Sequence, residues 1–156
     1  MISQFYLLLH NIRSIHNVGA IFRTADAIGV SKIYLSGYTA LPIDRFGRMR
    51  QDLAKASLGA EKTVPWESAK DINELINKLK KEKFKIIALE QDIRSIDYKK
   101  VEVIENNLII VGNEVDGIEK EILDQCDEII EIPMMGKKES LNVSVATGIV
   151  LYELKR

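Results

Sequence analysis

Hydrophobic positions along the chain fall into short unbroken runs rather than alternating ones. Residues 5–9, 85–90, 108–112 and 129–132 are almost wholly apolar, and Lys32–Ser36 follows the same habit. Such runs mark strands covered on both faces, because a half-exposed strand would show polar residues at every second position. Between the first two strands Val18, Ile21, Phe22, Ala25 and Ile28 recur at helical spacing, with Asn17 placed to cap that helix and Gly29 past its end. Residues 11–16 read as loop. Strand, helix and strand thus fit within about 36 residues, the size of a βαβ unit.

Residues 37–60 hold Pro42 and Gly47 in a mobile basic loop that leads into a short, weakly amphipathic helix. An extended piece follows at 63–66, with Trp66 at the edge of the core. Ser68 or Asp71 can cap the next helix, whose stripe is Ile72, Leu75, Ile76 and Leu79. A helix of about two turns is predicted over 118–125. A last one follows Ser140, its expected N-cap. That helix is apolar on nearly every side except Asn142, Ser144 and Thr147. A helix of this kind is normally buried, so its polar first turn must find partners inside the protein or on a ligand. Strands alternating with helices give an α/β fold, a mainly parallel sheet with helices on both faces.

Composition narrows the class. With 156 residues, 46% of them hydrophobic and 29% charged, the chain suits one globular domain over 1–156. No apolar run approaches the roughly 20 residues a membrane helix needs, and the opening residues lack the basic start and cleavage site of a signal peptide. A cytoplasmic protein without membrane or metal is the expectation. The single cysteine, Cys126, excludes an internal disulfide and reads as helix-end packing. Net charge is −1, yet residues 1–62 carry eight Lys and Arg against four acids, whereas 101–132 carry ten acids against Lys120 alone. One basic and one acidic face can coexist behind that average.

Candidate chemistry follows from the strand ends. Ligands of open parallel sheets bind beyond the carboxyl ends of the strands, which selects the loops after Leu9, Leu89, Val111 and Ile132. These loops hold Asn17, Gly19 and Arg23; Glu90, Gln91 and Asp92; Gly112, Asn113, Glu114 and Gly117; and Ser140 with Asn142. Taken singly each has a plain structural use, as cap, tight turn or close packing. Neither a G-x-G-x-x-G nor a P-loop follows a strand, which disfavours a dinucleotide oxidoreductase. His10 and His16 lie at the rim without partners evident in sequence.

Three segments together resemble the SpoU (TrmH) branch of the SPOUT methyltransferases: Asn17-x-Gly19-x-x-x-Arg23, Gly112-Asn113-Glu114-x-x-Gly117, and Ile132-Pro133 followed by Ser140-Leu141-Asn142-Val143-Ser144. They stand in the family's order and spacing, and Ser57-Leu58-Gly59-Ala60-Glu61 and Glu90-Gln91 are also similar. The resemblance implies an α/β fold with a C-terminal deep trefoil knot, S-adenosylmethionine as cofactor, and a homodimer through the terminal helices. It implies cofactor contacts from Leu89, Glu90, Gly112, Asn113, Glu114, Ile132, Met134, Ser140, Leu141 and Asn142. Catalysis would fall to Arg23, Asn17, Glu114, Ser140 and Asn142. The reaction implied is methyl transfer to a ribose 2′-hydroxyl of RNA, tRNA guanosine first and rRNA next; the alternative is a knotted dimer that binds RNA or cofactor without turnover. Arg13, Arg23, Arg45, Arg48, Arg50, Lys137 and Lys138 are the candidate RNA contacts.

Overall fold

The computed structural model describes residues 3–156. Its apolar runs form the middle of one seven-stranded sheet: β1 (Gln4–His10), β2 (Lys32–Ser36), β3 (Trp66–Ala69), β4 (Lys85–Leu89), β5 (Ile96–Asp97), β6 (Asn106–Val111) and β7 (Glu128–Glu131). All neighbours pair in parallel, in the order β3-β2-β1-β6-β4-β7-β5. Around it lie α1 (Ile15–Ile28), α2 (Gln51–Ser57), α3 (Ala60–Thr63), α4 (Ile72–Lys81), α5 (Lys120–Leu123) and α6 (Val143–Leu154).

Coverage on both faces explains the unbroken runs. Leu7 and Leu9 of β1, Ile87 of β4 and Ile109 of β6 pack under α1 and α6. Their neighbours Leu8, Ile86, Ala88, Leu108 and Ile110 face the other way, against Leu75, Ile76 and Leu79 of α4 and Ile122 and Leu123 of α5. Both faces of the central strands are therefore buried along their middles, and removing any of these leucines or isoleucines to alanine costs about 2–5 kcal/mol.

Several local readings are corrected. Helix α1 begins at Ile15, inside the stretch expected to be loop, because Ser14 rather than Asn17 is its N-cap; the Ser14 side chain accepts the Asn17 backbone N–H. Asp71, not Ser68, caps α4, and Ser68 lies within β3. Thr63 ends α3 instead of opening an extended segment, while Trp66 packs against the core edge as expected. Helix α5 is a single turn, shorter than predicted. Cys126 packs against the α4 layer, and burial pushes its thiol up to about 12, which keeps it from forming a reactive thiolate.

Gly19 sets the crossing of α1 on α2. A Cβ there would stand 2.6 Å from Ala56 Cβ and 2.7 Å from the Leu53 carbonyl oxygen. The connection after β1 leaves toward the α1 face and the one after β6 toward the α5 face. Their divergence opens a crevice at the carboxyl ends of adjacent strands.

Candidate active site

Glu114 lies on that crevice and ties its walls together. One carboxylate oxygen accepts the backbone N–H of Arg13 at 3.0 Å; the other accepts the Ser14 N–H at 3.1 Å and the Asn17 side-chain amide at 3.2 Å. Asn17, buried in the first turn of α1, accepts in turn from the Asn142 side-chain amide at 3.2 Å. Asn142 is itself the N-cap of α6, its amide oxygen accepting the N–H groups of Ser144 at 2.8 Å and Val145 at 3.3 Å. Ser140, expected at that cap, stands in the exposed segment just before it. The cap is thus Asn142, and its second function is to orient Asn17. One relay joins all three sequence segments.

The loop after β6 is shaped by its own contacts. Asn113 folds it back, its side-chain oxygen accepting the N–H groups of Val115 at 2.8 Å and Asp116 at 2.7 Å, while its amide donates to the Asn11 carbonyl at 3.0 Å and lies on the Tyr38 hydroxyl. Gly117 has φ +70°, and a Cβ there would run into the Glu90 carboxylate; a Cβ at Gly112 would run into Ile118. Both glycines are required by the turn itself. Glu90 accepts the Ile118 N–H at 2.8 Å and the Gln91 N–H at 2.9 Å, which fastens the β4 loop to the β6 loop. Gln91 then donates to the Glu139 carbonyl at 2.8 Å and reaches the segment before α6.

These loops surround a cleft with roughly 690 Å³ of empty space, partly open to solvent. Leu89, Glu90, Gly112, Asn113 and Glu114 line one side. Ile132, Met134, Ser140 and Leu141 line the other, so nine of the ten residues that the family resemblance singled out meet at one place. Asn142 is set behind them, in the relay. Val111, Gln91, Glu131, Val143 and Ala146 also line the cleft. Gln91 and Val143 lie within the segments already selected, whereas Val111, Glu131 and Ala146, which flank them, were missed by sequence reasoning. The lining holds three carboxylates, Glu90, Glu114 and Glu131, and no lysine, arginine or histidine.

Arg23 is elsewhere. It is exposed on α1, outside the cleft lining, next to Thr24, whose side chain faces Gly148 of α6. Arg13, Arg45, Lys137 and Lys138 are exposed, whereas Arg48 pairs with Asp44 at 3.0 Å and Arg50 with Asp52 at 2.8 Å. His10 does have partners that the sequence hid: it is buried, with Nδ1 2.8 Å from Ser36 Oγ and Nε2 2.9 Å from Glu119. That contact pins β1 to the start of α5. Helix α6 also departs from expectation. Val150, Leu151 and Leu154 are buried, yet Val145, Ile149 and Tyr152 are 51%, 37% and 53% exposed, which leaves an apolar stripe uncovered.

Comparison with known proteins places this arrangement. A model of the SpoU rRNA Methylase family matches residues 4–152. A Staphylococcus aureus relative carrying a TrmH family tRNA/rRNA methyltransferase name is 35% identical over 150 residues, covering 96% of this chain and 58% of its own length. An Aquifex aeolicus relative named tRNA (guanosine(18)-2′-O)-methyltransferase is 36% identical over 146 residues, 94% of this chain and 66% of its own. The chain therefore spans about three fifths of the curated relatives it matches. Among solved structures, an AdoMet-bound rRNA methyltransferase of Sinorhizobium meliloti superposes with a TM-score of 0.84 at 29% identity, covering 98% of this chain and 56% of that one. With the three segments joined in one relay and a family match that takes in all of them, the chain belongs to the SpoU methylase family.

Proposed function

We propose that the cleft binds S-adenosylmethionine and that the protein methylates a ribose 2′-hydroxyl of RNA, tRNA guanosine first and rRNA next. The observation that carries this reading is the Glu114–Asn17–Asn142 relay beside a cleft built from the same three segments. An acidic, base-free lining suits a cationic ligand, and Leu89, Ile132 and Leu141 offer apolar walls to an adenine ring. The Sinorhizobium meliloti relative is described with AdoMet bound and the Aquifex aeolicus relative by 2′-O-methylation of a tRNA guanosine, which supports both halves. Leu89, Glu90, Gly112, Asn113, Ile132, Met134, Ser140 and Leu141 would hold the cofactor. Bound there, it would supply an electrophilic methyl group on a cationic sulfur, with the neutral thioether as the leaving group once a ribose oxygen takes the methyl.

The protein's part is to position and to hold charge. Glu114 and Asn142 keep the walls of the cleft at fixed spacing through Asn17. Ser140, exposed at the mouth, presents a hydroxyl toward the ribose. Arg23 takes an RNA phosphate through its planar fork and turns the 2′-hydroxyl toward the methyl. It does not act as a base, since a guanidinium keeps its proton below about pH 12; a phosphate oxygen receives the proton instead. The same reading includes a trefoil knot in the C-terminal part and a homodimer through α6, whose uncovered stripe is of the kind an interface covers.

Incubation of the protein with methyl-labelled S-adenosylmethionine and total tRNA or rRNA tests this directly. Label is expected on a ribose 2′-oxygen, with Arg23→Ala losing at least tenfold in rate at unchanged cofactor affinity and Arg23→Lys keeping part of it. Full rate in both variants would remove Arg23 from the mechanism. Cofactor binding without transfer to either RNA pool would leave a binding dimer.

A further inference from the structure

The chain between β2 and α2 leaves the same rim of the sheet as the cleft, and its tip is built rather than loose. One Asp44 oxygen accepts the backbone N–H groups of Phe46 at 2.8 Å and Arg48 at 3.0 Å, and the other accepts from Arg48 Nε at 3.0 Å. Gly47 completes the turn at φ +78°. Below it Ile43 and Met49 form an antiparallel bridge, and Arg50 N–H donates to the Pro42 carbonyl at 2.9 Å. What this small hairpin lifts into solvent is a phenyl ring: Phe46 is 67% exposed. Exposure of so large an apolar side chain forgoes its burial energy, and the turn that enforces it is held by five hydrogen bonds of Asp44 and its neighbours.

The ring has charged company. The guanidinium carbons of Arg45 and Arg48 lie 4.8 Å and 5.0 Å from its centroid, within cation–π range. At the root of the same loop Tyr38, 59% exposed, sets its hydroxyl on the side chain of Asn113, a cleft residue. One loop therefore carries an exposed aromatic ring at the edge of the cleft, Tyr38, and another at its tip, Phe46, with two guanidinium groups beside the second. That is the chemistry of unpaired nucleic acid: a ring takes the face of a base while cations take its phosphates. A helical RNA keeps its base faces stacked inside and offers Phe46 nothing.

We propose that Phe46 is a stacking platform for an unpaired nucleobase near the target ribose, with Arg45 on the adjoining phosphate and Arg48, paired with Asp44, bracing the turn under the ring, so that the substrate is a single-stranded loop and not a duplex. The inference rests on the RNA reading above and adds to it the specificity-determining residue and the conformation of the RNA.

Binding is measured with an RNA oligonucleotide of about ten unpaired residues, a length in the range one such site covers, carrying 2-aminopurine, and with the same strand in a duplex. The single strand is expected to bind more tightly, with its fluorescence quenched on binding. Phe46→Ala should weaken binding about tenfold and abolish quenching, and Phe46→Trp should retain both. Stacking adds no counterion release, so Phe46→Ala lowers affinity at every salt concentration without changing the slope of log K against log salt, while Arg45→Ala flattens that slope. Equal affinity for duplex and single strand, or unchanged affinity of Phe46→Ala, would overturn the proposal while leaving RNA binding intact. A Phe46→Ala variant whose mass in solution changes instead would assign the ring to an interface between copies and also overturn it. If wild type binds the cofactor and no RNA at all, the underlying RNA reading fails first.

Discussion

Glu114 answers two opposed demands. Burial pushes its carboxyl up, but the N–H groups of Arg13, Ser14 and the Asn17 amide, with its own backbone N–H, outweigh that and hold it below the ordinary glutamate range. A carboxyl depressed in the folded state stabilises fully above its unfolded value, about 4.3, and loses that contribution as pH falls through the folded value. Glu114→Gln removes the charge and turns an amide N–H toward donors. Because Glu114 sits at the solvent rim, the loss is expected at about 1 kcal/mol, or about 3 °C in Tm near neutrality for a domain of this size. Thermal melts of wild type and variant should converge as pH is lowered from 5 toward 3, and a gap that stays constant would remove the ionised form from the account. The partners of Glu114 lie 97 to 101 positions away and those of Asn142 reach 125 positions back, so no local pattern reveals them. Sequence reasoning selects the three segments by residue type and strand end. It cannot decide between Ser140 and Asn142, or between Ser14 and Asn17, as caps, because both members of each pair are good capping types.

At the scale of elements, legibility follows coverage. The central strands β1, β4 and β6 are buried on both faces and announce themselves as apolar runs, whereas β3 reads Trp-Glu-Ser-Ala and β5 is two residues long, because edge strands bury little. Helix α6 shows the opposite failure. Its apolar residues surround it so evenly that no face is distinguished in sequence, and only packing separates the buried Val150, Leu151 and Leu154 from the exposed Val145, Ile149 and Tyr152. If the exposed stripe is the contact between copies, Ile149→Asp should convert a dimer to a monomer by sedimentation while the melting transition of the monomer survives, since Ile149 lies outside the core clusters. Gly19→Ala provides the contrasting case. Its Cβ would enter the α1–α2 crossing, and overpacking of that kind costs about 1–3 kcal/mol without bearing on the oligomer.

Across the whole molecule the cations proposed to meet RNA are a small subset of the 22 lysines and arginines behind the near-neutral charge. Segment 101–132 sets its acids in the loops on either side of β6, in and around α5, and in β7, whereas the cations proposed to meet RNA lie in the loops after β1 and β2, on α1 and in the turn before α6. Among the described residues Arg13, Arg23, Arg45, Lys137 and Lys138 form no ion pair, while Arg48 and Arg50 are already held by Asp44 and Asp52. A phosphate reaching the last two must displace a carboxylate already paired there, half-buried Asp44 or exposed Asp52, and the gain largely cancels. If these five cations alone meet a single-stranded RNA, the slope of log K against log salt is expected near −3.5, at about −0.7 per phosphate. Removing Lys137 and Lys138 together should flatten it by about 1.4, whereas neutralising Arg48 and Arg50 along with their partners Asp44 and Asp52 should change it little. Measured between 50 and 300 mM salt, a slope much steeper than that value would mean that cations outside this set, such as the lysines of α4 or those of a second copy, also meet phosphates. A flat dependence would mean that these loops do not hold phosphates at all.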